Sequence, residues 1–229
     1  YEGMEIKGQG SVGLITYMRT DAPRLSNEAL AEIRGWLAKE YGDAFVPEKP
    51  NLFKSKKGAQ EAHEAIRPTS IERTPASVRP FLTEEQFKLY DLIWKRAVAS
   101  QATAAEFDQT AVDIEAGRLG LRASGSVLRF PGWLKVYGRD EDDEAEEGGL
   151  PDLQQGWALT VAQEPVAKPA DDGEPAAPVR PEQHFTQPPP RYTDASLVKA
   201  LEEENIGRPS TYATIVSTIT KRDYIEREG

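Results

Sequence analysis

The chain of 229 residues contains no cysteine and only two histidines, His63 and His184. Without a thiol there is no disulfide, no cysteine nucleophile and no thiolate metal site. Two imidazoles are too few for a structural zinc cluster. No apolar run approaches the roughly 18 residues that a membrane-spanning helix needs, and no secretory signal opens the chain. It begins at Tyr1, not at a methionine, so the reading expects a natural N-terminus elsewhere. What remains, 38% hydrophobic residues over this length, suits one or two folded domains with a sizeable core.

Acid outweighs base, with 38 Asp+Glu against 28 Lys+Arg and a formal charge of −10. Taken whole, that balance argues against a nucleic-acid partner. Its location reverses the argument. Residues 1–138 hold 19 basic and 18 acidic side chains, and residues 183–229 hold 6 and 7. Residues 139–182 hold 3 and 13 and so carry the whole excess. The run Arg139-Asp-Glu-Asp-Asp-Glu-Ala-Glu-Glu147 self-repels, and 168–181 is rich in Pro, Ala and Asp. Both read as loops. Between them Trp157-Ala-Leu-Thr-Val161 reads as a short strand.

The first half of the chain is written mainly for helices. Gly10 to Asp21 reads as a strand or strand-like turn. Ser26 then caps a helix whose Leu30, Ile33, Trp36 and Leu37 recur at helical spacing. Thr83 with Gln86 fits a capping box ahead of Phe87, Tyr90, Ile93 and Trp94. After Ala105 the pattern changes to short alternating apolar runs broken by Gly117 and Gly125, which predict antiparallel β hairpins. From Tyr192 helix returns: Asp194 is placed to cap 195–204 and Ser210 to cap a segment running to Thr220. Ile206-Gly-Arg-Pro209 forms the joint between them. The fold class expected is α+β.

Three constellations could carry chemistry. In an extended segment Tyr17 and Arg19 share a face, with Asp21 next on the same alternation. A phenol beside a guanidinium is either an exposed stack or a nucleophile for a phosphodiester, with arginine stabilising the charged oxygens. In Gln60-Glu-Ala-His-Glu-Ala-Ile-Arg-Pro-Thr69, His63 and Arg67 lie one turn apart if the segment is helical. They could contact phosphates, or Glu64 and Arg67 could simply form a surface ion pair. In Asn205-Ile-Gly-Arg-Pro-Ser-Thr-Tyr-Ala213, Arg208, Ser210 and Thr211 gather at a helix start suited to a phosphate. The same residues also make a plain hinge with a capping serine.

Together, Gly13-Leu-Ile-Thr-Tyr-Met-Arg-Thr-Asp21, the decapeptide 60–69, and Pro188–Leu201 with Gly207–Ala213 resemble bacterial type IA DNA topoisomerase I, in that family's order. The resemblance covers nearly the whole chain apart from the acidic segments, and the nonapeptide around Tyr17 is its most specific part. One departure is Ala22, where the family usually carries serine.

The resemblance implies that Tyr17 attacks one DNA strand, leaving a 5′-phosphotyrosine and a free 3′-hydroxyl, while Arg19 steadies the scissile phosphate. Strand passage and religation follow without ATP. It implies that Asp21, His63, Arg67, Arg208, Ser210 and Thr211 bind DNA or organise the site. The partner implied is a single-stranded segment of negatively supercoiled duplex, with no membrane and no small-molecule substrate, in a cytoplasmic, nucleoid-associated setting.

The implied Mg²⁺ belongs to a Toprim domain preceding the tyrosine, which these residues do not contain. Asp140-Glu-Asp-Asp-Glu144 matches Asp-x-Asp-x-Glu only by chance within an acidic run. No metal ligand is therefore expected in this chain. The expected organisation is a tyrosine domain at 1–103 and a β-rich gate domain at 104–190 with acidic loops 139–149 and 163–182. The start of a helical DNA-binding domain follows at 191–229. The reading expects a fragment that is inactive alone. Two other readings are a catalytically idle single-strand binding module and a protein–protein adaptor using 139–182.

Overall fold

A computed structural model of the chain describes residues 1–6, 8–20, 22–53, 64–138, 150–151, 153–160 and 183–227. The architecture is α+β, with helices and two small antiparallel sheets. It divides into two units, Tyr1–Leu150 and Pro151–Gly229. The acidic run 139–147 and the Pro/Ala/Asp stretch 168–181 lie outside the described residues.

The first unit opens with a hairpin of two three-residue strands, β1 (Met4–Ile6) and β2 (Gly10–Val12), paired Met4↔Val12 to Ile6↔Gly10. Sequence pattern located only the second strand and ran it to Asp21. The ladder in fact stops at Val12, and Ile15 makes one isolated bridge to Pro68. β1 has too few residues to show an alternation, so nothing local announced it.

Helix α1 (Asn27–Tyr41) starts where expected, with the Ser26 hydroxyl accepting from the Ala29 amide at 3.2 Å. A short helix α2 (Pro75–Val78), capped by Thr74, had no clear signal in the sequence. Helix α3 (Glu84–Ala99) carries the full capping box, Gln86 N to Thr83 Oγ1 and Thr83 N to Gln86 Oε1. The apolar stripes of α1 and α3 meet here. Leu37 and Val98 are fully buried, with Ile33, Tyr90 and Trp94 around them. Trp36 stands edge-on to Trp94, ring centroids 4.9 Å apart. Ile6, Leu14, Ile15, Ile71 and Val78 join the same cluster, so the hairpin and the segment after it are packed onto the helices.

Tyr90 sits in this core with its hydroxyl donating to the Arg73 carbonyl at 2.6 Å. Burial pushes its phenol up to about 12; Arg73 opposes the shift and Glu32 adds to it.

Strands β3 (Glu106–Ala116) and β4 (Leu119–Phe130) form one long hairpin rather than several short runs. Gly117, at φ +61°, makes the two-residue turn. Gly125 breaks nothing: it lies mid-strand opposite Thr110. The base of the hairpin is tied to the helical core. Phe45 packs against Phe130 with centroids 4.9 Å apart, and Trp133 N donates to the Thr103 carbonyl at 2.9 Å. A 3₁₀ turn at Gly132–Tyr137 then buries Leu134 and Val136.

The second unit holds helices α4 (Asp194–Glu203) and α5 (Tyr212–Lys221). The cap of α4 is Thr193, not Asp194: Thr193 and Ser196 exchange side-chain bonds to each other's amides. Trp157 to Thr160 forms no strand, and Val161 lies outside the described residues. An isolated alternating tetrapeptide with no partner strand among the described residues does not hold a ladder.

Candidate active site and its comparisons

Tyr17 lies on the segment that leaves β2 and is 54% exposed. Residues 16–19 are not a strand, and exposure does not alternate along them. Tyr17 and Met18 are both exposed, while Thr16 and Arg19 are half-buried. Among the described residues, 17–19 belong to no strand ladder, and the period-two expectation fails there. Asp21 and His63, both expected at the site, lie outside the described residues.

What holds Tyr17 in place comes from a distant stretch of chain. Residues 64–69 form no helix, with bends at Ile66 and Thr69 and a bridge at Pro68, so the helical placement of His63 and Arg67 one turn apart is not realised over them. They run antiparallel beside 13–16 instead. Thr16 N donates to the Arg67 carbonyl at 2.9 Å, and Thr69 N to the Leu14 carbonyl at 3.0 Å. The Thr16 hydroxyl donates to the Ala65 carbonyl at 2.8 Å and accepts from Arg67 N at 3.0 Å. The Thr69 hydroxyl donates to the Gly13 carbonyl at 2.6 Å. Pro68 fits this arrangement because an isolated bridge does not require its missing amide. Residues 13–16, just before Tyr17, and residues 65–69 are therefore one hydrogen-bonded unit.

Arg67 faces inward. Its Nε and Nη2 each donate to a carboxylate oxygen of Glu64 at 3.0 Å, and Nη1 donates to the Pro68 carbonyl at 2.8 Å. This is the ion pair foreseen as the plain alternative, but partly buried and bidentate, the stronger kind. Arg67 thus joins Glu64 to the Pro68 carbonyl. Ala22, where the resemblance implies serine, is only 2% exposed, so a hydroxyl there would need a buried partner.

Sequence reasoning missed Thr16, Thr69 and Arg73. Arg73 donates to Gln9 Oε1 and to the Thr69 hydroxyl, both at 3.0 Å, linking the turn between β1 and β2 to this framework. The available signal was the position of Thr16, opposite Tyr17 on any local alternation.

The third constellation lies in the second unit. Gly207 adopts φ +79°, and a Cβ there would sit 2.6 Å from Ile215 Cδ1. Thr211, not Ser210, is the residue before α5. Its hydroxyl accepts from Arg208 N at 2.8 Å and donates to the Arg208 carbonyl at 3.0 Å, closing the turn. Ser210 is exposed within that turn. Arg208 is exposed, with Nη1 donating to the Gly207 carbonyl at 2.7 Å.

Among the described residues no three His, Cys, Asp or Glu side chains converge to hold a metal ion. The donor set for Mg²⁺ that the resemblance implies is thus not met by them, and Asp140–Glu144 lies outside them.

The family model described as DNA topoisomerase matches residues 1–229. The chain belongs to the DNA topoisomerase family. Relatives in that family include "DNA topoisomerase 1" of two Xylella fastidiosa strains, 9a5c and Temecula1 / ATCC 700964. Each is 50% identical over 231 aligned residues, covering 100% of this chain and 27% of the relative. The chain therefore spans about a quarter of the length of these curated topoisomerases. Among solved structures, full-length topoisomerase I of Thermotoga maritima matches with a TM-score of 0.76 and 33% identity. That match covers 100% of this chain and 34% of the other. The family expected from the three motifs is the one found. No helix among the described residues is long and apolar enough to cross a membrane.

Proposed function

We propose that this chain carries the nucleophile of a type IA DNA topoisomerase. The Tyr17 phenol oxygen attacks a backbone phosphorus of one strand, and the bond from phosphorus to the 3′ oxygen breaks. The phenol gives up its proton and the departing 3′ oxygen takes one, leaving a 5′-phosphotyrosine and a 3′-hydroxyl. After the other strand passes, the hydroxyl attacks the phosphotyrosine and restores both groups. The phosphodiester energy stays in the covalent link, so ATP is not consumed. Arg19 follows two residues later; its guanidinium stays charged near neutrality and matches a phosphate in shape. The substrate is a single-stranded segment of negatively supercoiled DNA, which sets a cytoplasmic, nucleoid-associated location.

The observation that supports the reading most directly is the pairing of 13–16 with 65–69, which anchors an exposed phenol to a hydrogen-bonded frame. Asp21 and His63 complete the site in this proposal. Arg208, with the turn of Ser210 and Thr211, grips the strand. The domains follow as 1–103 for the tyrosine, 104–190 for the strand gate and 191–229 for DNA-binding helices. Mg²⁺ is held by residues other than the described ones in this proposal. By itself the 229-residue chain is then inactive in nicking.

The test is covalent capture. The full product of the gene, given a single-stranded oligonucleotide and Mg²⁺, should form a denaturant-stable adduct that maps to the peptide containing Tyr17. Tyr17→Phe should remove it. An adduct that persists in Tyr17→Phe would sink the assignment.

A further inference from the structure

Tyr1 lies directly against Tyr17. The ring centroids are 5.4 Å apart and the planes meet at 70°, an edge-to-face arrangement between two rings that are each more than half exposed. The antiparallel pairing of β1 and β2 brings the two together, because the chain entering at 1–3 and the chain leaving at 13–17 emerge side by side from the Met4↔Val12 end. Gly13 permits the approach. A Cβ on it would stand 2.8 Å from the Tyr1 carbonyl oxygen, closer than real Cβ contacts come. Tyr1 and Met18, one residue past Tyr17, also line a cavity of about 370 Å³ together with Leu14, Leu89, Tyr90 and Ile93. Tyr1 thus touches the Tyr17 ring and borders a cavity whose far side includes α3 residues.

We propose that Tyr1 is a positioning residue for the Tyr17 nucleophile: its ring sets the Tyr17 side chain edge-to-face, in a slot that Gly13 keeps open. The inference rests on the reading of Tyr17 as the attacking group. An aromatic pair of this geometry restricts the ring it touches without contacting the reacting atoms. Its removal lets the phenol leave the attack geometry, which lowers the rate of the chemical step more than the affinity for DNA. The Tyr1 hydroxyl has no part in this, so phenylalanine should serve as well.

The experiment measures single-turnover cleavage of an oligonucleotide by the full gene product over a range of oligonucleotide concentrations, with thermal unfolding alongside. Tyr1→Ala should lower the saturating cleavage rate about 3- to 10-fold, with half-saturation changed by less than about twofold. Tyr1→Phe should restore the rate. Tyr1→Leu, which keeps apolar bulk over the cavity, should be as slow as Tyr1→Ala while unfolding like the parent. Wild-type rates in Tyr1→Leu, a loss confined to half-saturation, or failure of Tyr1→Phe to rescue would each overturn the proposal. Tyr17→Phe, run in parallel, separates the two claims. Cleavage surviving in that variant removes the nucleophile itself, whereas its loss beside an unaffected Tyr1→Leu removes only the positioning role.

Discussion

Thr16 illustrates how much one hydroxyl does in this frame. It donates to the Ala65 carbonyl and accepts from the Arg67 amide, so it satisfies two backbone groups on a segment 49 to 51 residues away. Valine at this position keeps the shape and strands both groups. Thr16→Val should therefore cost about 1–3 kcal/mol, read as a lower urea midpoint, while Thr16→Ser stays close to the parent. If Tyr17 is the nucleophile, Thr16→Val should also slow covalent capture, since the segment bearing Tyr17 loses part of its anchor. Tyr90 offers a test of a different kind. Its phenol is neutral when protonated, and burial raises its folded-state value to about 12. An unfolded tyrosine titrates near roughly 10. The stabilisation is therefore complete below about pH 10 and is lost as pH climbs towards 12. Melting midpoints measured from pH 9 to 12 should fall more steeply for the parent than for Tyr90→Phe. The phenylalanine variant should start lower by about 1 kcal/mol for the lost bond to Arg73. Parallel slopes would show that Tyr90 does not set the alkaline limit.

Elements with local signatures emerged largely as read. The caps at Ser26 and Thr83 lie where expected because a cap is a contact between neighbours in sequence. Where two hydroxyl or carboxylate residues stood side by side, sequence alone did not separate them: Thr193 displaced Asp194 as the cap of α4, and Thr211, whose hydroxyl bonds Arg208 and makes no side-chain cap bond, precedes α5 in place of Ser210. The joint between α4 and α5 turns on Gly207. Its positive φ costs any L-residue about 1–2 kcal/mol, and the added methyl would also press on Ile215 and Thr211. Gly207→Ala should accelerate amide exchange throughout α4 and α5 and leave β3 and β4 unchanged. Uniform protection in the variant would mean that the joint tolerates the side chain by shifting. The long β3–β4 hairpin was legible as β structure, but its length was not. Glycine reads as a breaker in sequence, and only strand pairing shows that Gly125 sits inside a ladder.

On the scale of the whole molecule the question is where charge acts. The excess of acid is confined to 139–182, and seven of those acids fall within 140–147. Exposed charges farther apart than a Debye length, about 8 Å at physiological salt, interact weakly. Replacing those seven with amides should leave the unfolding midpoint unchanged within about 0.5 kcal/mol. If DNA is the partner, the same change should raise affinity for a single-stranded oligonucleotide at low salt and fade as salt rises, as anisotropy titrations would report. Equal affinity of both proteins at low salt would place the acidic run far from the strand.

The sequence by itself determined the family, the α+β class and the principal helices with most of their capping chemistry. These are local properties, written in spacing, caps and contiguous motifs. Only the tertiary structure decided that 13–16 pair with 65–69, that Arg67 turns inward to Glu64, and that Tyr1 rests on Tyr17. Thr16 meets Ala65 across 49 residues and Thr69 meets Gly13 across 56. No periodicity within either segment names its partner, and packing on the α1 and α3 core brings them together.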